Sequence, residues 1–271
     1  MVSSVDAGVS LVEAKMSDCK TFALFLKHLH FHEDLCFIFT QHGIKLTTED
    51  SKIFQANAFL QKELFRDYQW HSSLEDGQEI AFDLDLPSLL DAISLFGGTT
   101  ASLYLRYLEG RPLQVWLEDQ GVVVEVHVKV RRPWEPVDFN FVKAAISAKI
   151  LFAAEHMKEI LGDLDGLSEY VEIKIHQERA LFQLKTKSAI GDCTIEIPES
   201  SELISHFSAN EDVEMTYKAF LLKQAFKPVA AAEKVSFRVS PDGLLCIQYM
   251  IRMGEVKSFL EFICCPSETS D

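Results

Sequence analysis

The sequence predicts an α+β chain built from two similar β-rich domains, each with two helices. Three observations carry that expectation. The carboxyl end holds three alternating apolar runs, the same order of strands and helices is met twice, and a Pro-containing connector separates the two passes. The terminal runs lie at 235–239, 244–251 and 258–264, with Asp242-Gly243 and Met253-Gly254 between them. Asx-Gly between alternating runs marks a hairpin, because Gly supplies the positive φ of the turn.

The first half opens on a strand over 11–15. Ser17 or Asp18 then caps a helix to Leu29, with Phe22, Phe25, Leu26 and Leu29 as its apolar stripe. Strands are expected over 35–40, 44–48 and 53–59. A strand over 79–84 runs into a helix over 86–96, with Pro87 in its first turn and Gly97-Gly98 stopping it. Strands over 101–108, 113–117 and 122–130 close this half. The second half repeats the order: strands over 138–142 and 144–151, a helix over 154–164, then strands over 170–176, 181–186 and 194–197. A strand over 213–217 runs into a helix over 219–226, and the tail meander follows. The two strand-into-helix units start about 130 residues apart, which indicates duplication; a solenoid would repeat every ~20–50 residues. The division expected is 9–130 and 138–266 for the two domains, 131–137 for the connector, and mobile tails at 1–8 and 267–271.

At 271 residues with 48% hydrophobic content and 20 Phe, the chain can bury a substantial core. No apolar run reaches the ~18 residues that span a bilayer. The opening MVSSVDAGVS lacks the basic start and apolar core of a secretory signal, so no membrane association is expected. Six Cys without a C-x-x-C read as reduced, intracellular thiols. A net charge of −15 opposes a generally phosphate-seeking surface. It is compatible with one narrow face that touches DNA while the rest stays acidic.

Catalytic templates are poorly matched. His28-x-His30-x-His32 crosses an expected helix end and has no Cys or carboxylate cluster beside it, so no metal is expected. Asp83-x-Asp85 and Asp163-x-Asp165 resemble halves of a two-metal nuclease site, yet 41 acidic residues make such pairs ordinary, and Asp85 is placed to cap a helix. Walker, dinucleotide and nucleophile-elbow motifs are missing, and Gly97-Gly98-Thr99-Thr100 follows a helix instead of opening one. No cofactor is expected.

Three segments share wording with a known family: FTQHGIKLTTEDSKIFQANAFL at 39–60, LPSLLDAISLFG within 83–97, and the tail SPDGLL-x-x-QYMI followed by FLEF-x-CCP. From Leu11 to Pro266 the chain resembles the Rad-one-type subunits of the heterotrimeric DNA-damage checkpoint clamp, the nine-one-one ring, a relative of proliferating cell nuclear antigen. The resemblance implies a DNA-clamp fold forming one third of a pseudo-sixfold ring. It also implies two other clamp subunits, an ATP-driven loader, duplex DNA held without sequence preference, checkpoint and repair proteins as partners, and a nuclear location. A 3′–5′ exonuclease and a homotrimeric replication-type clamp are the alternatives on the same fold.

Residue expectations follow. Lys20 and Lys27 are on one side of the first helix, and Lys223 and Lys227 on one side of the last. Solvated lysines are common on amphipathic helices, but these two helices are repeat-related and the background is acidic. In the family such helices face DNA phosphates, and Lys158 on the third helix is added to the set. The second helix carries Asp91 and no Lys. The connector Arg131-Arg132-Pro133-Trp134-Glu135-Pro136-Val137 reads as a stiff linker. The family implies that it also floors a partner-peptide groove, with Trp134, Val137, Ile44, Leu46, Leu244 and Pro266 as candidates; core burial is the competing reading for the last four. Subunit edges are expected at 112–119, with Val115 and Leu117, and at 182–188, with Lys185 and Lys187. Glu118 and Asp119 oppose those lysines in sign, which fits head-to-tail pairing, while charge on an edge is also an ordinary guard against aggregation.

Overall fold

The computed structural model describes residues 11–71, 77–96, 101–139, 141, 145–162, 168–189 and 191–267. The chain divides into two units: unit 1 is the chain up to Thr48 plus Ala58–Pro136, and unit 2 is Glu49–Asn57 plus the chain from Val137. The break between Pro136 and Val137 falls within the expected connector. The turn at Glu49–Asn57 counts with unit 2, which no linear division can express.

Unit 1 carries β1 (Val12–Met16), α1 (Cys19–Leu29), β2 (Asp34–Thr40), β3 (Gly43–Asp50), β4 (Phe54–Gln61), β5 (Asp67–Trp70), β6 (Ile80–Asp85), α2 (Leu86–Ile93), β7 (Ser102–Tyr107), β8 (Leu113–Asp119) and β9 (Val122–Val128). One sheet has the order β5-β1-β7-β8-β9; a second run is β4-β3-β2-β6, with the first half of β4 counted in unit 2. Alternation in β1 and β7 sends every second side chain inward. Phe37, Phe82 and Tyr107 meet between the layers, with centroids at 5.3 Å for Phe37–Phe82 and 4.6 Å for Phe82–Tyr107. Each such aromatic pair adds about 1 kcal/mol beyond its burial. Asp18, and not Ser17, caps α1: its carboxylate accepts from the Thr21 N–H at 3.0 Å. Pro87 stands in the first turn of α2, which ends at Ile93. That is a turn earlier than expected, and residues 97–100 lie outside the described set.

Unit 2 carries β10 (Ala148–Ala153), α3 (Ala154–Gly162), β11 (Tyr170–His176), β12 (Leu181–Ser188), β13 (Gly191–Pro198), β14 (Ile204–Ala209), β15 (Val213–Lys218), α4 (Ala219–Phe226), β16 (Lys234–Val239), β17 (Leu245–Met253) and β18 (Val256–Cys264). Its sheets are β14-β10-β16-β17-β18-β4 and β13-β12-β11-β15. α1 follows β1 as α3 follows β10, and α2 follows β6 as α4 follows β15. Phe152, Phe182 and Phe237 pack edge-on with centroids 5.1–5.5 Å apart. Tyr217, also buried in unit 2, donates its hydroxyl to the Gly243 carbonyl at 2.7 Å. That bond fixes the tail turn, where Gly243 has φ +77°.

Three differences from the sequence reading have physical causes. β5 and β14 have no counterpart in the expected elements. Both are polar strands held by tertiary pairing, β5 against β1 and β14 against β10. No strand covers Asp138, Phe139 or Phe141. Instead Phe139 and Leu244 pack against the cluster of Phe141, Cys246 and Ile263.

Gly43, the Gly of the G-I-K wording, has φ +135°, and a Cβ there would sit 2.1 Å from the Leu60 carbonyl oxygen. Gly43→Ala is therefore expected to lower unfolding free energy by about 2 kcal/mol or more, read as a lower urea midpoint with an unchanged slope.

Candidate functional site

Helix amphipathicity decides which charges reach solvent. In α1 the buried side is Cys19, Phe22, Ala23, Phe25, Leu26 and Leu29, leaving Lys20 and Lys27 exposed. In α4 the buried residues include Leu221, Leu222 and Ala225; Lys223 is exposed, and Lys227, which caps the helix in αR conformation, is exposed as well. α3 exposes Lys158 among Glu155 and Glu159, so its face is not positive. α2 exposes Asp91 and has no basic residue in its last turn. Two helices, one in each unit, thus present paired cations.

The connector is pinned at its start by Asp83. Asp83 and Arg131 exchange backbone hydrogen bonds at 3.1 and 2.7 Å, and the Trp134 N–H donates to Asp83 Oδ2 at 2.8 Å. The Arg131 guanidinium reaches Asp34 at 2.6 Å, an exposed pair worth about 1 kcal/mol or less. Burial raises the pKa of Asp83, partly opposed by the Trp134 N–H and by Arg131. Burial, and then the Asp83 charge, push the neighbouring Cys36 thiol up to about 12. In unit 2 the Val137 N–H donates to Glu49 Oε2 at 2.8 Å, and Gln55 Nε2 donates to the Val137 carbonyl at 2.9 Å.

The groove candidates divide by burial. Ile44 and Leu46 are 2% and 0% exposed. They are core residues of β3, so they offer no surface to a partner peptide. Trp134, Val137, Leu244 and Pro266 are half-buried. Phe139 and Phe141 were missed; their i, i+2 spacing was legible, but it suggested a strand. Arg238 reinforces that patch, with its guanidinium 5.1 Å from the Phe141 ring centroid and an ion pair to Glu261 at 3.0 Å.

The expected subunit edges need correction. β8 is hydrogen-bonded to β7 on one side and β9 on the other, and β12 lies between β11 and β13. Val115 and Leu117 are fully buried, Lys185 is half-buried and Lys187 exposed. Neither strand has an unpaired backbone to offer. Among the described strands, the longest with a single partner are β13 (8 residues) and β9 (7 residues). β9 leaves Val122 and Val123 more than half exposed. Sequence pattern locates strands without naming their neighbours, so it does not separate an inner strand such as β8 or β12 from an outer one.

The acidic and histidine motifs have structural duties. Asp83 holds the connector, and Asp85 caps α2 by accepting from the Ser88 hydroxyl at 2.5 Å and the Ser88 N–H at 2.8 Å, which together lower its pKa. His32 Nδ1 accepts from the Asp34 N–H at 3.2 Å. Among the described residues no group of His, Cys, Asp and Glu could hold a metal ion. Asp163 and Asp165 lie outside that set.

Residues 11–251 match the family described as Repair protein Rad1/Rec1/Rad17. The Cell cycle checkpoint protein RAD1 of Homo sapiens is 33% identical over 275 residues, covering 98% of this chain and 95% of its own. The DNA damage checkpoint control protein rad1 of Schizosaccharomyces pombe is 22% identical over 268 residues, covering 89% and 82%. Among solved structures, the PCNA2–PCNA3 complex of Sulfolobus tokodaii matches with a TM-score of 0.77 at 17% identity, over 94% of this chain and 98% of that one. The fold is that of a PCNA-like clamp.

Asp83 gives a signed pH prediction. Its folded pKa lies above 3.8, so its contribution to stability is fully present below that value and is lost as pH rises through the higher folded one. Asp83→Asn stays neutral and still accepts from Trp134. Its urea midpoint is expected to gain on the parent chain's between about pH 3 and pH 7. Asp83→Ala, with no acceptor, is expected to cost about 1–3 kcal/mol throughout.

Proposed function

The chain belongs to the Rad1/Rec1/Rad17 family of repair proteins, and we propose that it acts as one third of a heterotrimeric ring that encircles DNA at damage sites. It is a DNA-damage checkpoint clamp subunit. The observation that carries this reading is the near full-length match to checkpoint proteins by a chain with a clamp fold.

The mechanism is topological. Exposed lysines on α1 and α4 meet phosphates, a contact that fixes position without reading bases. Lys158 adds little, since Glu155 and Glu159 flank it. Retention comes from ring closure, so each contact can stay weak and salt-sensitive. Closure requires two edges per subunit, and β9 and β13 fit that role better than the buried-in-sheet β8 and β12. Val122 and Val123 on an unpaired edge otherwise invite uncontrolled association. The partners are two other clamp subunits, an ATP-driven loader, and checkpoint and repair proteins bound at a groove of unit 2 using Val137, Leu244 and Pro266. The setting is nuclear. The division of labour is non-catalytic: Asp83 and Asp85 are committed to the connector and to α2, which favours scaffolding over the exonuclease reading.

Light scattering tests the assembly. The chain alone is expected to be a monomer that enters a one-to-one-to-one complex when two partner clamp subunits are co-expressed. A homotrimer overturns the checkpoint ring in favour of a replication-type clamp. Val123→Glu is expected to leave the monomer folded by circular dichroism while abolishing the complex. For the ring on duplex DNA, Lys223→Gln with Lys227→Gln is expected to reduce the slope of log affinity against log salt by about 1.8.

A further inference from the structure

Phe220 has no packing role that accounts for it. The residues on either side of it in α4, Ala219 and Leu221, are buried, yet Phe220 is 54% exposed. At 100° per residue, Phe220, Lys223 and Lys227 fall within an arc of about 60°, with the two lysines about 4.5 and 10.5 Å further along the axis. Lys218 immediately precedes the helix, and a second exposed aromatic, Tyr170, stands opposite Lys218 in the β11–β15 register. Among the described residues no other helix exposes a Phe, Tyr or Trp: α1 buries Phe22 and Phe25 and exposes only polar residues, and the one exposed ring of α3, the His156 imidazole, stands next to Glu155 and not among lysines.

Lysines alone suffice for phosphates. An exposed ring among them adds something only where a base presents its π-face, and bases in an intact duplex are stacked away from the backbone. A positively charged track with an interleaved aromatic is the composition that binds single strands, in which bases stack on the ring. We propose that the α4 face binds single-stranded DNA, with Phe220 stacked on an unpaired base while Lys223 and Lys227 hold flanking phosphates. This rests on the reading that α4 faces DNA.

The test is fluorescence anisotropy at low salt, with the full chain and either a labelled oligothymidylate of about 16 nucleotides or a duplex of equal length. Phe220→Ala is expected to weaken single-strand binding roughly 5- to 150-fold and to leave duplex binding unchanged. Phe220→Leu, which keeps apolar bulk without a ring, is expected to behave like Ala, and Phe220→Trp to retain binding. Exposure of the side chain makes all three compatible with folding. If Phe220→Ala leaves single-strand binding intact, or weakens both DNA forms equally, while the lysine-to-Gln pair weakens both, the stacking role is overturned and the phosphate-facing helix survives. If the lysine pair changes neither form, or the parent chain binds neither, both readings fall.

Discussion

Unpaired backbone at sheet margins is the constraint from which the rest of this structure follows. The eighteen strands among the described residues must dispose of every edge N–H and C=O. At β6 the disposal is internal: Asp83 pairs with Arg131, and its carboxylate takes the Trp134 N–H, so the connector begins as an edge cover. In unit 2, Glu49 and Gln55 satisfy both backbone groups of Val137 by side chain. The connector is therefore hydrogen-bonded at both ends, which separates it from a loose tether. β9 and β13 receive no such treatment. Among the described strands they are the longest that keep one side without a strand partner.

The charge distribution obeys a second economy. The chain carries −15 in total, yet α1 and α4 each expose two lysines with no carboxylate on the same short helix face. Other exposed cations, such as Arg131 beside Asp34 and Arg252 beside Glu233, sit against carboxylates, while the lysines of α1 and α4 stand on faces that carry none. The repeat has not preserved this evenly. The expectation that α1 and α4 are repeat-related needs correction: by strand order α1 matches α3 and α2 matches α4. Each unit keeps one cationic helix, but at a different place in the repeat.

How much was legible depends on whether a signal was local. Asp85 before Leu86-Pro87, and the bounds of α4 at Ala219 and Phe226, follow from capping chemistry and periodicity within a few residues. The tail strands follow from alternation broken by Gly243 and Gly254. The misses are all questions of partnership. β5 and β14 are strands because β1 and β10 lie alongside, not because of their own composition. Ile44 and Leu46 alternate as groove or core residues would, and only burial separates the two. Val115 and Leu117 lie on a real strand whose far side turned out to be occupied by β9. Phe220 was missed for the opposite reason: an aromatic in a helical pattern reads as core, and only its exposure sets it apart.

The Asp83 anchor has a consequence for chemistry that never involves DNA. Burial beside that carboxylate keeps the Cys36 thiol protonated, and burial does the same for Cys246 and Cys264. The thiolate, not the thiol, is the nucleophile that attacks peroxides and other electrophiles, so protonation lowers the reactivity of these sulfurs. A protein working amid genotoxic stress meets the oxidants and alkylating agents that injure the genome. The packing that anchors the connector at Asp83 therefore also keeps the Cys36 sulfur in its less reactive form.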